Sequence, residues 1–172
     1  MMRSKGIKVI AVLFIIYGMV LTFYHITMSS PISENEMICS AIMGCNLQEW
    51  SFAKQLIYLF FDGLFPLFAG IGLFLQERWG WWIGTTFLCY GIIDKLMVIS
   101  MLFQLGGSIW ESYNILPLVY LGAFLASFIF LINGNVQAVF AIKKQSLSIH
   151  LAILIGISTM GFITKEILLH TL

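Results

Sequence analysis

Three charged side chains stand where an apolar chain should exclude them. Asp62 interrupts one long apolar run, and the adjacent Asp94 and Lys95 interrupt the next. The two runs meet at Gln76-Glu77-Arg78-Trp79-Gly80-Trp81-Trp82, which reads as a turn. Asp62 lies 16 residues before Arg78 and Asp94 lies 16 after it. At about 1.5 Å per residue each stands roughly 24 Å from the turn. In a hydrocarbon core of about 30 Å, both fall in the half remote from the turn. Opposite charges at one height on antiparallel helices predict an ion pair, and the spacing selects Asp62 with Lys95. Asp94 then faces a third helix and has His25 or Lys165 as a partner.

Pro66 adds to this spot. Proline has no N–H, so the carbonyl four residues earlier, that of Asp62, loses its helical donor. His25 and Lys165 lie near the ends of two further apolar runs, at the same level. An ionisable group inside a span marks a ligand, ion or proton site. The competing reading is a brace that fixes helix register, with Lys95 snorkelling outward on its long stem. His25 titrates near neutral pH and suits proton handling. A satisfied histidine at the membrane interface is the plainer role for it.

Cysteine chemistry is confined to Cys39 and Cys45, because Cys89 reads as a small apolar filler. A bridge between the first two would close a short loop and stabilise by about 2 kcal/mol. Two free thiols, or a redox-active pair, are the alternatives. The chain has no C-x-x-C, no phosphate loop, no G-x-S-x-G and no H-E-x-x-H. Ser158 and His150 share a helix face but stand about two turns apart, too far to act as nucleophile and base. No metal site, cofactor or enzymatic activity is expected. With a net charge of +1, neither is nucleic-acid binding.

The elements that position these residues follow from composition. The 172 residues are 60% hydrophobic and 10% charged, where a soluble domain carries about 25% charged residues. The expected fold is an all-α integral membrane protein with five transmembrane helices, in a single multi-pass domain. The spans are about 7–27, 55–76, 81–103, 114–132 and 146–167, with a loop at 29–54 between the first two. In the first span Ala11, Gly18, Thr22 and His25 share a face suited to helix packing. This span is longer than the apolar core of a signal peptide and reads as a retained anchor. Ala69 and Gly70 permit close approach on the second span. Gly84, Gly91 and Lys95 share a face of the third, and Gly122 with Ala126 form a small-residue pair on the fourth. Ser158, Gly161 and Lys165 share a face of the fifth.

Trp79, Trp81 and Trp82 are expected at a membrane interface, and Trp110 and Tyr113 at the other. Asn133-Gly134-Asn135 reads as a helix stop. Glu36 to Ile42 is expected as a short helix opened by a capping box between Ser33 and Glu36.

Orientation follows from charge. With the N-terminus inside, six basic residues (Arg3, Lys5, Lys8, Arg78, Lys143 and Lys144) fall inside, and Lys54 and Lys165 fall outside. That bias predicts N-in, C-out in the cytoplasmic (inner) membrane. The expected role is non-enzymatic: an accessory, sensory or protective subunit with a polar outer-leaflet site. Its partners would be the lipid bilayer and another membrane protein or a small ligand arriving from the outer side. A small transporter or channel subunit using Asp62 and Lys95 is the alternative.

Overall fold

The computed structural model describes residues 2–27, 36–40, 44–48, 52–104, 115–142 and 147–171. Apart from one short hairpin, every described element is helical. Helix α1 spans Met2–Thr27. Strands β1 (Glu36–Ser40) and β2 (Gly44–Gln48) follow. The next helix is composite: α2 (Phe52–Tyr58), a π-helical turn (Leu59–Leu64) and α3 (Phe65–Phe74). Then come α4 (Arg78–Gln104), α5 (Ile115–Ile132), the short α6 (Gly134–Gln137) with a 3₁₀ turn (Ala138–Phe140), and α7 (Leu147–Thr171). Five helices are long and apolar enough to cross a membrane: Ser4–Thr27, Phe52–Phe74, Arg78–Gln104, Ile115–Ile132 and Ile149–Leu169. This fits a multi-pass membrane protein. Helix α1 shows why: it leaves Val9, Leu13, Val20 and Phe23 exposed, an arrangement that suits lipid and not water.

Helix α4 is the hub, packing against α3, α5 and α7, while α1 packs on α3 and on the π-helical turn. The α3–α4 turn forms because Gln76 adopts a left-handed conformation with φ of 58°. Its amide bonds Leu73 O and that of Glu77 bonds Gly72 O, at 3.1 Å each, which satisfies two carbonyls at the helix end. The Gln76 side chain donates to Ser4 Oγ at 2.7 Å and ties the turn to α1. Just beyond, α3 and α4 touch backbone to backbone. A Cβ built on Gly80 would collide with the Gly72 carbonyl carbon.

The small face expected on the first span is the α1 interface. A Cβ on Gly18 would stand 2.7 Å from Leu67 N and 2.8 Å from Gly63 O. Ala11 is fully buried, and its carbonyl lies beside Gly70. The core beneath is aromatic, with the Phe14, Phe65 and Phe124 rings each edge-on to Phe87 at 5.2–5.9 Å.

Helix α5 does end at Asn133, whose ψ of 128° leaves the helical region and whose side chain accepts from Asn135 N. Ending a helix leaves carbonyls without donors. Trp81 Nε1 donates to Leu131 O at 2.8 Å, and Gln137 Nε2 donates to Ile132 O at 3.1 Å. Trp81 is therefore wholly buried and presents no ring surface to lipid. Trp79 alone of the three is well exposed, while Trp82 is half-buried against the edge of His150.

Two further expectations need correction. Residues 36–40 form a strand, not a helix, paired antiparallel with 44–48. A helix of about seven residues is far below the ~12–15 that sustain themselves in water, and the hairpin pairs the same backbone groups between strands. Gly122 does not serve tight packing: no described atom lies within 4 Å of a Cβ built there. Gly106 to Ser108, Trp110, Tyr113, Ser33 and Lys143-Lys144 lie outside the described residues.

Candidate functional site

Each intramembrane aspartate has a tyrosine four residues before it, Tyr58 before Asp62 and Tyr90 before Asp94. That spacing puts tyrosine and carboxylate on one helical face. Both faces turn toward the same space. A cavity of about 340 Å³ opens at the end of the bundle where α1 and α7 finish, and His25, Asp62, Asp94, Lys95 and Lys165 all line it. Tyr17, Tyr24, Tyr58 and Tyr90 complete its wall. Phe87 and Phe124 form the floor.

The five polar residues expected at one level thus share one cavity, but their pairing differs from the expectation. Lys165 Nζ donates to both carboxylate oxygens of Asp62, at 2.9 and 3.0 Å. Lys95 bonds its own neighbour, Asp94 Oδ2, at 2.7 Å. Asp62 and Asp94 line one cavity, but equal spacing from the turn does not select which helix supplies the partner.

Two features of the chain decide that. The π-helical turn carries a bond from Phe65 N–H to Phe60 O, one residue longer than an α-helical bond. It sits immediately before Pro66, where the ladder must lose a donor. The wider turn changes the azimuth of Asp62 relative to α3, and Asp62 faces α7. Helix α7 also runs on to Thr171, which places Lys165 inside the span and not at its end.

Lys165 is enclosed. Its side chain is 7% exposed, with its ammonium 5.0 Å from the Tyr58 ring centroid and 5.7 Å from that of Tyr90. Two bonds to carboxylate and two aromatic faces satisfy it. The Asp94–Lys95 pair differs, since both side chains are about a quarter exposed, at 25% and 23%. Among the described residues, neither makes a second hydrogen bond. Tyr90 is 4% exposed. Its hydroxyl is buried beside Lys165 and interacts with that ammonium.

His25 belongs to the rim. Its carbonyl accepts from Gln55 Nε2 at 2.7 Å, and its ring stacks on Tyr58 at 5.8 Å. Ser158, on the face of Lys165, is buried and donates to Thr86 O at 3.1 Å, which pins α7 to α4. Cys89 is buried in α4. Among the described residues no three His, Cys, Asp or Glu side chains converge as a metal ion would require. The disulfide expected between Cys39 and Cys45 concerns side chains outside those described; the backbone register sets the two residues opposite each other.

The tyrosines were the residues missed. Intramembrane charge draws the eye to Asp and Lys, while the i, i+4 repetition of Tyr with Asp was the signal that could have found their neighbours. Comparison with known proteins adds nothing to this geometry: no protein-family model matches the chain, and neither a curated protein nor a solved structure matches it.

Proposed function

We propose that this chain is a non-enzymatic recognition protein of the cytoplasmic membrane, an accessory, sensory or protective subunit that takes a small polar molecule into the outer half of its bundle. The N-terminus lies inside and the C-terminus outside, on the strength of the basic residues at the Arg78 end. The cavity then opens outward.

One observation carries the reading. Both intramembrane acid–base pairs line the same open cavity, and the Asp94–Lys95 pair keeps hydrogen-bonding capacity free. Two braces would need no shared cavity. A volume of about 340 Å³ lies in the range of small-molecule sites, about 300–1,000 Å³. A carrier using Asp62 and Lys95 is the competing reading. The aromatic floor of Phe87 and Phe124, with Phe14 and Phe65 packed edge-on behind Phe87, supports recognition over passage.

Native mass spectrometry after mild detergent extraction tests the proposal. The wild type is expected to retain a small molecule or lipid that Val98→Trp, which fills the cavity mouth, does not. Identical spectra for the two proteins would overturn it.

A further inference from the structure

Resting on the reading of this cavity as a ligand site, we infer that its ligand is a zwitterion: a molecule that carries an ammonium and an anionic oxyacid group a few bonds apart. Charge accounting at the partly exposed pair points to it. Asp94 accepts from Lys95 at one oxygen, Oδ2. Its other oxygen can accept from a ligand ammonium. Lys95 gives one N–H to Asp94 and has two left for an anion. The two groups are joined at 2.7 Å, so a ligand must offer its own opposite charges at similarly short separation. Ligand and pair then alternate in sign around a closed set of hydrogen bonds.

Net charge decides against simpler ligands. The cavity holds two carboxylates and two ammonium groups, so its formal charge is zero with His25 neutral. An amine or an anion alone would bring an uncompensated charge into a half-buried site between apolar helices, which is costly. A zwitterion leaves the sum at zero. The walls fit as well. Tyr17 and Tyr24 line the cavity from α1, and tyrosine rings attract an ammonium. The second pair is excluded from this role, because Lys165 is closed off by Asp62 and two rings.

Such a molecule comes from one of two sources: a phosphoethanolamine lipid headgroup, or a free amino acid from water. Full-length protein in a maltoside detergent, which carries no charge, separates them. Glycerophosphoethanolamine and alanine are titrated against it by thermal shift. Glycerol phosphate, acetate and ethanolamine serve as singly charged controls.

One zwitterion is expected to bind at least about tenfold more tightly than any control, the loss of one charge-assisted hydrogen bond. Preference for glycerophosphoethanolamine assigns the lipid source, and preference for alanine the free one. The variants give a readout that a structural brace would not move. Asp94→Asn should shift preference toward the anions, and Lys95→Gln toward ethanolamine. A control that binds the wild type as tightly as both zwitterions would overturn the inference and leave the ligand site standing. Binding of no probe would also overturn it; the site itself falls only if the wild-type and Val98→Trp native spectra also agree.

Discussion

Lys165, on the last helix, holds both carboxylate oxygens of Asp62, on the second, across 103 residues of sequence. The bond clamps α7 to the π-helical turn before Pro66. Removing one member of a buried ion pair strands the other and costs about 3–5 kcal/mol. The Asp62 side chain is 25% exposed, so the lower end applies. Asp62→Asn and Lys165→Met should each lower the melting temperature in detergent, and the double variant should recover part of the loss. Additive losses would show that the two residues stabilise independently.

Asp94→Asn should behave differently. Its partner Lys95 is a sequence neighbour, and both side chains are about a quarter exposed, whereas Lys165 is 7% exposed, so loss of the Asp94 charge strands a better-solvated lysine and costs less. Thermal melts of Asp94→Asn and Asp62→Asn, side by side, should rank the second as clearly more damaging. The reverse order would assign the bracing role to the wrong pair.

Helix contact predicts a contrast between two glycines. Gly80→Ala places a methyl against the Gly72 backbone, which cannot move aside as a side chain could. Overpacking of this kind costs about 1–3 kcal/mol or more. Gly122→Ala enters open space on α5 and gains helix propensity, worth up to ~1 kcal/mol in water. The first should unfold earlier than wild type, and the second should match or exceed it. Equal melts would place Gly80 away from α3.

Trp81→Phe removes the donor to Leu131 O. The carbonyl stays buried and unpaired, at a cost of about 1–3 kcal/mol. Trp79→Phe, at an exposed position, is the control and should change the melt little. A harmless Trp81→Phe would mean that another donor serves the end of α5.

The strand register sets Cys39 opposite Cys45, and the proposed topology puts both in an oxidising compartment. Alkylation of oxidised membranes before reduction should therefore modify Cys89 at most. Modification of all three cysteines would refute the bridge.

The spans were legible because hydropathy and length dictate them, and the level of the charged residues was legible because rise per residue is fixed. That arithmetic places Asp62, Asp94 and Lys95, and the ends of two further apolar runs place His25 and Lys165. Their partners were not legible. The azimuth of Asp62 depends on a π-helical turn, and nothing in the apolar run Leu59–Leu64 distinguishes it from an α-helix except the Pro66 that follows. Trp81 was misplaced for a related reason. Tryptophan at a turn resembles an interface anchor until the break at Asn133, a feature of another helix, leaves a carbonyl for it to satisfy. The tyrosine wall went unread because tyrosine in a span looks like ordinary bulk.

The central claim is that a polar, water-accessible cavity lies inside the span. Neighbouring positions on α1 test it directly: Leu21 lines the cavity, whereas Val20 is exposed on the bundle surface. Each is replaced by cysteine in a chain whose native cysteines are changed to alanine, and a charged, water-soluble thiol reagent is applied to intact membranes. Modification needs the thiolate, and the thiolate needs water. The account predicts rapid labelling of Leu21→Cys and none of Val20→Cys. Labelling of Val20→Cys alone, or of neither, would contradict it.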